Sequence, residues 1–290
     1  FKHGAVLDSM VGEQHMPDKL KLLATGLNGV VGRALRPVLE ERYELSALSR
    51  SGVDGLPPER VFKTDIADVE SLRPAFKGVD VVLNLAADGG QSDAEGMNAG
   101  WDSTLHNNII GTYNVLEVAK ESGVSRVILA SSGATVNGYE LEEPYKRLVS
   151  GDDGDLPEAW EMVDEFAEQK PVTLYGVTKL FGEDLCRYYA LTTPMSVINL
   201  RVSNCTSVDE AAPGRAQANW SSHRDIRQLA VKCIRRRPRT SSTHSGLCPT
   251  TRSCTATTAT PKRCSDMRGR MGCGKKAGSA HGGDSNSRRD

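Results

Sequence analysis

Residues 25–32 read Thr-Gly-Leu-Asn-Gly-Val-Val-Gly, a TGxxGxxG sequence that follows a short apolar run and precedes residues with helical spacing. In a strand–turn–helix unit, Gly26 permits the tight turn, Gly29 lets the backbone approach a pyrophosphate, and Gly32 allows the helix to pack closely on the strand. The N-terminus of the helix also favours an anion. The stretch therefore predicts a dinucleotide-binding turn, and the residues expected to contact the cofactor along it are Gly26, Leu27, Asn28, Gly29, Val30, Val31 and Gly32.

The same alternation of apolar runs and helical patterns continues outward from this turn. Five further apolar runs are predicted as strands, at 44–48, 60–62, 79–85, 127–130 and 196–200. Helical spacing follows the turn at 30–41, and the clearest helical patterns between the other runs are at 109–122 and 175–191. Because the apolar runs are continuous, they indicate strands that are covered on both faces. The predicted fold class is α/β, a Rossmann-type doubly wound parallel sheet with a small, incomplete C-terminal substrate region.

The composition divides the 290-residue chain into parts of different character. Between Arg235 and Asp290 there is no Phe, Tyr, Trp, Ile or Val, and 13 basic residues stand against 3 acidic ones. Such a segment cannot bury enough apolar surface to offset its ordering entropy. We therefore expect an N-terminal extension at 1–18, a NAD(P)-binding Rossmann domain at 19–234, and a disordered, basic, low-complexity tail at 235–290. The abrupt change of composition favours a tail translated from a shifted reading frame.

Several partners and settings are disfavoured by the same features. The basic tail attracts phosphate, but no aromatic residue is interleaved for base stacking, so nucleic acid is not the expected partner. No apolar run approaches the roughly 20 residues of a membrane span. The tail cysteines lack the CxxC spacing of zinc modules, and Cys186, Cys205 and Cys233 are scattered. We expect no metal site and a cytoplasmic location.

The residues after the second and third predicted strands bear on the choice of dinucleotide. Ser49 and Arg50 stand where NAD sites place an acidic residue, and a cation with neighbouring hydroxyls suits a 2′-phosphate. NADP is therefore favoured, with NAD kept open. Asp65 and Ile66 follow the third strand, where they could contact the adenine amino group, although an Asp at a strand end is more often a turn or a cap.

A second group of residues predicts redox chemistry on a hydroxyl. Tyr175 and Lys179 are four residues apart on a predicted helix, so their side chains share one face. The ammonium group, together with a nicotinamide cation, is expected to lower the tyrosine pKa and make the phenol a general base near neutral pH. Ser131 and Ser132 follow the fifth predicted strand and would bring a hydroxyl to the same crevice.

Two stretches interrupt the strand–helix rhythm. Residues 89–100 form a Gly-containing loop after the fourth strand, where open α/β sheets bind ligands. Residues 139–170 carry 11 acidic and 3 basic residues, with Trp160, Val163 and Phe166 at helical spacing. The expected structure is an acidic surface insertion with one half-buried helix, and a substrate lid is the alternative.

These segments together resemble the extended short-chain dehydrogenase/reductase family, also described as NAD-dependent epimerases and dehydratases. The segments that occur in the family's order are TGLNGVVG at 25–32, NLAA at 84–87, NNIIGTYNVLE at 107–117, VILASSGATVNG at 127–138 and LYGVTKLFGEDL at 174–185. Within the family the chain is most similar to uronate dehydrogenases and related sugar dehydrogenases, through residues 200–205 and 215–222. The family continues beyond this point with a helix, a strand and a closing helix, where this chain has its basic tail.

The resemblance implies a role for each matching residue. Tyr175 would remove the hydroxyl proton, Lys179 would lower its pKa and hold the nicotinamide ribose, Ser132 would bind the reacting oxygen, and Asn108 would support Lys179 through a water. The segment after the fourth strand would line the cofactor through Leu85, Ala86 and Ala87.

On the substrate side, the resemblance assigns Arg215 to the anionic or polyhydroxyl end of the sugar and Asn204 to a further polar contact. Gly133 and Ala134 replace an Asn-His pair of uronate dehydrogenases, so two polar contacts are missing, and the acid pair of dehydratases is absent. We expect an NAD(P)-dependent oxidoreductase acting on a sugar, uronic acid or sugar derivative. The alternatives are a sugar epimerase and a catalytically silent dinucleotide-binding protein. A homodimer formed through helices 109–122 and 175–191 is expected from the family.

Overall fold

The computed structural model describes residues 19–89, 91–92, 98–152, 156–157, 159–211, 214–235 and 252–255. The strands in these ranges are β1 Lys21–Thr25, β2 Glu44–Ser49, β3 Val61–Lys63, β4 Val81–Asn84, β5 Gln91–Ser92, β6 Asn98–Ala99, β7 Arg126–Ser132, β8 Ser196–Val202 and β9 Arg252–Thr255. The α-helices are α1 Val30–Arg42, α2 Val69–Leu72, α3 Trp101–Thr104, α4 Gly111–Glu121, α5 Tyr145–Ser150, α6 Leu174–Thr192, α7 Arg215–Ala218 and α8 His223–Arg235. A π-helical segment, Leu105–Ile110, joins α3 to α4.

Six of these strands form a parallel sheet in the order β3-β2-β1-β4-β7-β8, which confirms the predicted Rossmann-type fold. The chain runs outward from β1 to β3 and then crosses to the other side of β1 to form β4. The strand order therefore reverses beside β1, and open α/β sheets bind ligands in the crevice at this point. Leu22 of β1 is in register with Leu45 of β2 and Val81 of β4.

Successive residues of the strands enter two cores on opposite faces of the sheet. Leu22 packs in a cluster with Leu35 of α1 and Ile226 of α8, whereas Leu23 packs in a second cluster with Val115 of α4 and Tyr189 of α6. Because both faces are covered, most positions of these strands are apolar, and this accounts for the largely apolar runs in the sequence.

The seventh strand of the sheet lies within the segment that the sequence analysis expected to be a disordered tail. β9 pairs with β8 in parallel, with Arg252 opposite Ile198 and Thr255 opposite Arg201. Residues 1–18, 236–251 and 256–290 lie outside the described residues, so the proposed division into extension, domain and tail stays a prediction.

The helix expected around Trp160 is not found, and this prediction was wrong. In 159–173 the chain forms turns and irregular structure, with the Phe166 side chain 86% exposed. The Asp164 carboxylate accepts a hydrogen bond from the Phe166 amide at 2.9 Å. Such a local bond offers the backbone an alternative to helix formation. The segment returns to the sheet through Lys170, whose amide donates to the Thr135 carbonyl at 2.9 Å.

No helix within the described ranges combines the length and apolarity that crossing a bilayer would require. In the same ranges, no group of three or more His, Cys, Asp or Glu side chains has a metal-binding arrangement.

Candidate active site

The Thr25 hydroxyl links β1 to β4, the two strands that border the crevice, through hydrogen bonds. Its Oγ1 donates to Asn84 Oδ1 at 2.6 Å. The same oxygen accepts from the backbone N–H groups of Leu85 at 3.1 Å and Ala86 at 3.0 Å. Gly26 follows with φ +68°, and a Cβ there would lie 2.7 Å from the Ala86 nitrogen. The glycine turn and the segment after β4 are thus in direct contact, which only a glycine at this position allows.

The start of α1 fits an anionic group. Gly29 is the N-cap of α1 and is exposed to solvent. No side chain caps the helix, and its first turn contains no acidic residue. A Cβ at Gly32 would lie 2.5 Å from the Gly26 carbonyl oxygen, so the helix packs directly on the turn. Backbone N–H groups and the helix dipole at such an end favour a pyrophosphate. The turn therefore has the shape and the polarity that a dinucleotide needs.

Asn28 holds the loop that follows β2. Its amide donates to the Gly52 carbonyl at 2.7 Å and also contacts the hydroxyls of Ser51 and Ser49 at 3.3 and 3.4 Å. Arg50 is exposed in this loop, and no ion pair within the described ranges involves it. A cation is therefore available beside the crevice, at the position from which a 2′-phosphate could be bound.

Asp65 and Ile66 hold the loop after β3 against the helix layer. The Asp65 carboxylate accepts from the Ala67 amide at 2.9 Å, which is the turn role that the sequence left open. Ile66 is buried, and its carbonyl accepts from Asn114 of α4 at 3.0 Å.

Leu85 and Ala86 are partly buried and Ala87 is exposed at the end of β4.

Tyr175 and Lys179 lie on the first turns of α6, whose N-cap is Thr173. The Thr173 hydroxyl accepts from the Gly176 amide at 3.0 Å. Lys179 Nζ lies 5.4 Å from the centroid of the Tyr175 ring and donates to the Ala130 carbonyl at 2.9 Å. The predicted pair is therefore formed and is anchored to β7. Burial lowers the pKa of Lys179 to about 8, so the ammonium form still predominates at neutral pH.

Ser132 joins Tyr175 at the end of β7. Burial raises the pKa of Tyr175, and the hydrogen bond with Ser132 opposes this effect. The expected lowering of this pKa is therefore not found: desolvation of the phenol outweighs the other contributions, while the nearby ammonium group is bonded to a carbonyl. The Ser132 oxygen also accepts from the Ala134 amide at 3.1 Å, which fixes the hydroxyl.

Asn108 lies beneath these groups, in the π-helical segment. Its Oδ1 accepts from the Asp88 amide and its Nδ2 donates to the Asp88 carbonyl, both at 2.8 Å. Nδ2 also donates to Thr178 Oγ1 at 3.0 Å. Asn108 therefore connects the segment after β4 with α6 through Thr178, the neighbour of Lys179, and the water-mediated link to Lys179 stays a prediction. π-helical segments occur frequently at functional sites.

The residues assigned to the substrate side lie beyond Gly133. Its neighbour is Ser203, whose hydroxyl would be 3.6 Å from a Cβ at Gly133. Asn204 is bonded within the protein: its side-chain Nδ2 donates to the Ala216 carbonyl at 3.4 Å, and its backbone N–H donates to the Asn219 carbonyl at 2.8 Å. It therefore positions α7, the helix that Arg215 begins.

Arg215 is bound by a carboxylate of the protein itself. Its Nε donates to Glu140 Oε2 at 2.5 Å and its Nη2 to Glu140 Oε1 at 3.0 Å. Glu140 is not among the predicted site residues, because no local pattern links two residues that are 75 positions apart.

A buried ion pair lies against the end of β7, and it is also not among the predicted site residues. Glu183 receives the guanidinium of Arg201, with Nε to Oε1 at 2.8 Å and Nη2 to Oε2 at 2.7 Å. The Ser131 hydroxyl donates to the same carboxylate at 2.5 Å. Glu183 stands four residues after Lys179 on the same helical face, and this spacing could have identified it.

The arrangement combines two capabilities at one edge of the sheet. The glycine turn can hold a dinucleotide, and three groups near the end of β7 can bind a hydroxyl oxygen and take its proton. The turn and the proton-transfer groups are linked through β4 and Asn108, as described above. A crevice of this kind can oxidise an alcohol bound beside a nicotinamide ring.

Comparison with known proteins places the chain among enzymes of this chemistry. The sequence model of the NAD dependent epimerase/dehydratase family matches residues 22–223. An NAD-dependent glucose-6-phosphate dehydrogenase of Haloferax volcanii is 33% identical over 220 residues, which cover 73% of this chain and 79% of that protein. L-arabinose 1-dehydrogenase (NAD(P)(+)) of the same organism is 30% identical, over 66% of this chain and 69% of that protein.

A solved structure supports the same relationship. A mutant of uronate dehydrogenase from Agrobacterium tumefaciens, complexed with NAD, superposes with a TM-score of 0.61 and 26% identity. The match covers 83% of this chain and 77% of that one.

Proposed function

The chain belongs to the NAD-dependent epimerase/dehydratase family, and on that basis we propose that it is an NAD(P)-dependent dehydrogenase that oxidises a hydroxyl of a sugar or sugar derivative. The observation that carries the proposal is the grouping of Tyr175, Lys179 and Ser132 on adjoining ends of α6 and β7. A protein that only senses a dinucleotide has no need of a partly buried phenol with an ammonium group beside it.

Each of these groups has a distinct task in the proposed reaction. Ser132 holds the oxygen of the substrate hydroxyl, and the Tyr175 oxygen removes its proton as the carbon is oxidised. The Lys179 ammonium, held by the Ala130 carbonyl, stabilises the tyrosinate that must form. When bound along residues 26–32, NAD(P)⁺ would supply the hydride acceptor.

The names of the relatives support oxidation rather than epimerisation. They act on a sugar phosphate, an aldose and a uronic acid, and each is named as a dehydrogenase. The test is the absorbance of reduced nicotinamide on a panel of aldoses, uronic acids and sugar phosphates with either cofactor. Turnover of at least one sugar is expected. Cofactor binding without turnover on any of them would favour the catalytically silent alternative, and interconversion of sugar stereoisomers without net reduction of cofactor would favour an epimerase.

We propose that NADP is used in preference to NAD, through Arg50. Arg50→Ala is expected to lower kcat/KM for NADP roughly tenfold, because a charge-assisted hydrogen bond to the 2′-phosphate is lost. The value for NAD is expected to change little. The control is Arg42→Ala, which removes an exposed arginine at the other end of α1. Equal losses for both cofactors, or no loss for either, would contradict this role.

We propose a homodimer formed through the outer faces of α4 and α6. Large apolar side chains are exposed to between 36% and 57% on these two helices and at Ile110, which directly precedes α4. They are Ile110, Tyr113, Val177, Phe181, Tyr188 and Leu191. An apolar patch shared by two adjacent helices is typical of a self-association surface.

Phe181→Glu is expected to convert such a dimer into a monomer, since a carboxylate would be buried at the centre of the patch. Light scattering coupled to size-exclusion chromatography measures the change. Val208→Glu is the matched control, because Val208 is 63% exposed and lies outside the two helices. A wild-type monomer, or an equal effect of both substitutions, contradicts the proposed interface.

We also propose a cytoplasmic location. Cys186 and Cys205 form no disulfide in the described part of the chain, which agrees with a reducing compartment.

A further inference from the structure

We propose that Glu140 determines the substrate class of this enzyme: by occupying the guanidinium of Arg215, it makes the site favour a neutral aldose over the uronic acid that has the same ring. The inference rests on the proposed dehydrogenase function and goes beyond it by naming the kind of sugar.

The pairing of Glu140 with Arg215 has the geometry of a fixed element. Two parallel hydrogen bonds join the groups, at 2.5 and 3.0 Å. Asn219 donates to Glu140 Oε1 at 2.9 Å. Asn137, with its amide oriented to satisfy its neighbours, donates to the same oxygen at 3.2 Å while its carbonyl accepts from Arg215 Nη2 at 2.6 Å. Three side chains therefore hold one carboxylate, whose own side chain is only 18% exposed.

The pair is connected to the reacting centre by a short path. In the same orientation, the Asn137 amide also donates to the Gly133 carbonyl at 2.8 Å. Gly133 directly follows Ser132, the residue proposed to hold the substrate hydroxyl. The Arg215 side chain is 54% exposed, so part of the guanidinium can be reached by a ligand. A sugar whose hydroxyl lies at Ser132 would extend past Gly133 toward the pair.

The charge of the pair then decides which sugars fit. An unoccupied guanidinium binds a carboxylate with two parallel hydrogen bonds, and its charge is compensated by the ligand. Here the protein's own carboxylate takes that place, so a uronate would bring a second negative charge beside Glu140. Like charges that close disfavour binding, and a built-in repulsive group of this kind excludes one ligand in favour of another.

A neutral sugar avoids this repulsion. Its hydroxymethyl group carries no charge, can donate to a carboxylate oxygen and can accept from a guanidinium or amide N–H. D-Galactose and D-galacturonate differ only in this group, so they isolate the effect.

The test compares kcat/KM for these two sugars with the same cofactor, in the full chain and in two variants. Wild type is expected to prefer D-galactose. Glu140→Gln keeps the shape but removes the charge, and it is expected to shift the ratio toward D-galacturonate by about tenfold. Glu142→Gln is the matched control, since Glu142 bonds Lys170 at 2.7 Å and not Arg215. Calorimetric titration of both sugars into each protein measures the same preference without turnover.

The outcomes separate this inference from the proposed function. Turnover with a wild-type preference for D-galacturonate, or a ratio that Glu140→Gln leaves unchanged, overturns the role of Glu140 while the dehydrogenase function stands. Absence of turnover on every sugar overturns the function and the inference together. If circular dichroism finds Glu140→Gln unfolded, the wild-type ratio decides, because it requires no substitution.

Discussion

Tyr175→Phe is expected to lower kcat/KM for the sugar by about a thousandfold, while the affinity for the cofactor stays within about twofold of the wild-type value. The substitution removes the atom that takes the hydroxyl proton but retains the ring beside Lys179. Steady-state kinetics and a cofactor titration measured on the same samples test both parts of the expectation.

The control for this substitution is Tyr188→Phe, which removes a phenolic hydroxyl from the same helix at a position that is 57% exposed. It is expected to leave turnover unchanged. In wild type, the oxidation rate is expected to rise with pH above neutrality, because burial raises the pKa of Tyr175 and the base form becomes more populated only as the pH increases. Wild-type turnover in Tyr175→Phe would eliminate the phenol as the base.

Glu183→Ala is expected to lower the free energy of unfolding by about 3–5 kcal/mol, because it leaves a buried guanidinium without its counter-charge. Arg201 and Glu183 are 3% and 4% exposed. Arg201 Nη1 already has no hydrogen-bond partner in the described ranges, so no further group among those residues compensates for the loss. Urea denaturation followed by circular dichroism gives the free energy.

Two further variants distinguish the buried pair from surface electrostatics. Glu121→Ala removes a partner of Arg73 from an exposed pair and is expected to change the stability far less. A double variant, Glu183→Leu with Arg201→Met, is expected to recover much of the lost stability, since no unpaired buried charge remains. If Glu183→Ala were no more destabilising than Glu121→Ala, the pair would have no structural role.

The parts of the fold that were predictable are those encoded over short stretches. A strand covered on both faces is mostly apolar, so the runs at 44–48 and 196–200 identified β2 and β8 although Ser46 and Asn199 interrupt them. The glycine turn was equally readable, because φ and close packing restrict Gly26 and Gly32 wherever the turn occurs. The pattern around Trp160 misled because a local Asp164 turn competes with the helix that the spacing suggests.

The parts that were not predictable depend on contacts between distant residues. Glu140 meets Arg215 across 75 positions, and Ser131 meets Glu183 across 52. The direction of the Tyr175 pKa shift was also not predictable from the sequence. The i, i+4 spacing places the Lys179 ammonium near the phenol, but it does not show how far the phenol is desolvated.

The three hydrogen bonds of Thr25 have a consequence for how the dinucleotide is received. They join β1 to the last residue of β4 and to the two residues that follow it, within the polypeptide itself, so this side of the dinucleotide site is preorganised. Association then requires little loss of conformational freedom from the polypeptide on that side, and more of the interaction energy is retained as affinity. Loops on the sugar side can consequently change during evolution while the residues that bind the dinucleotide keep their structure.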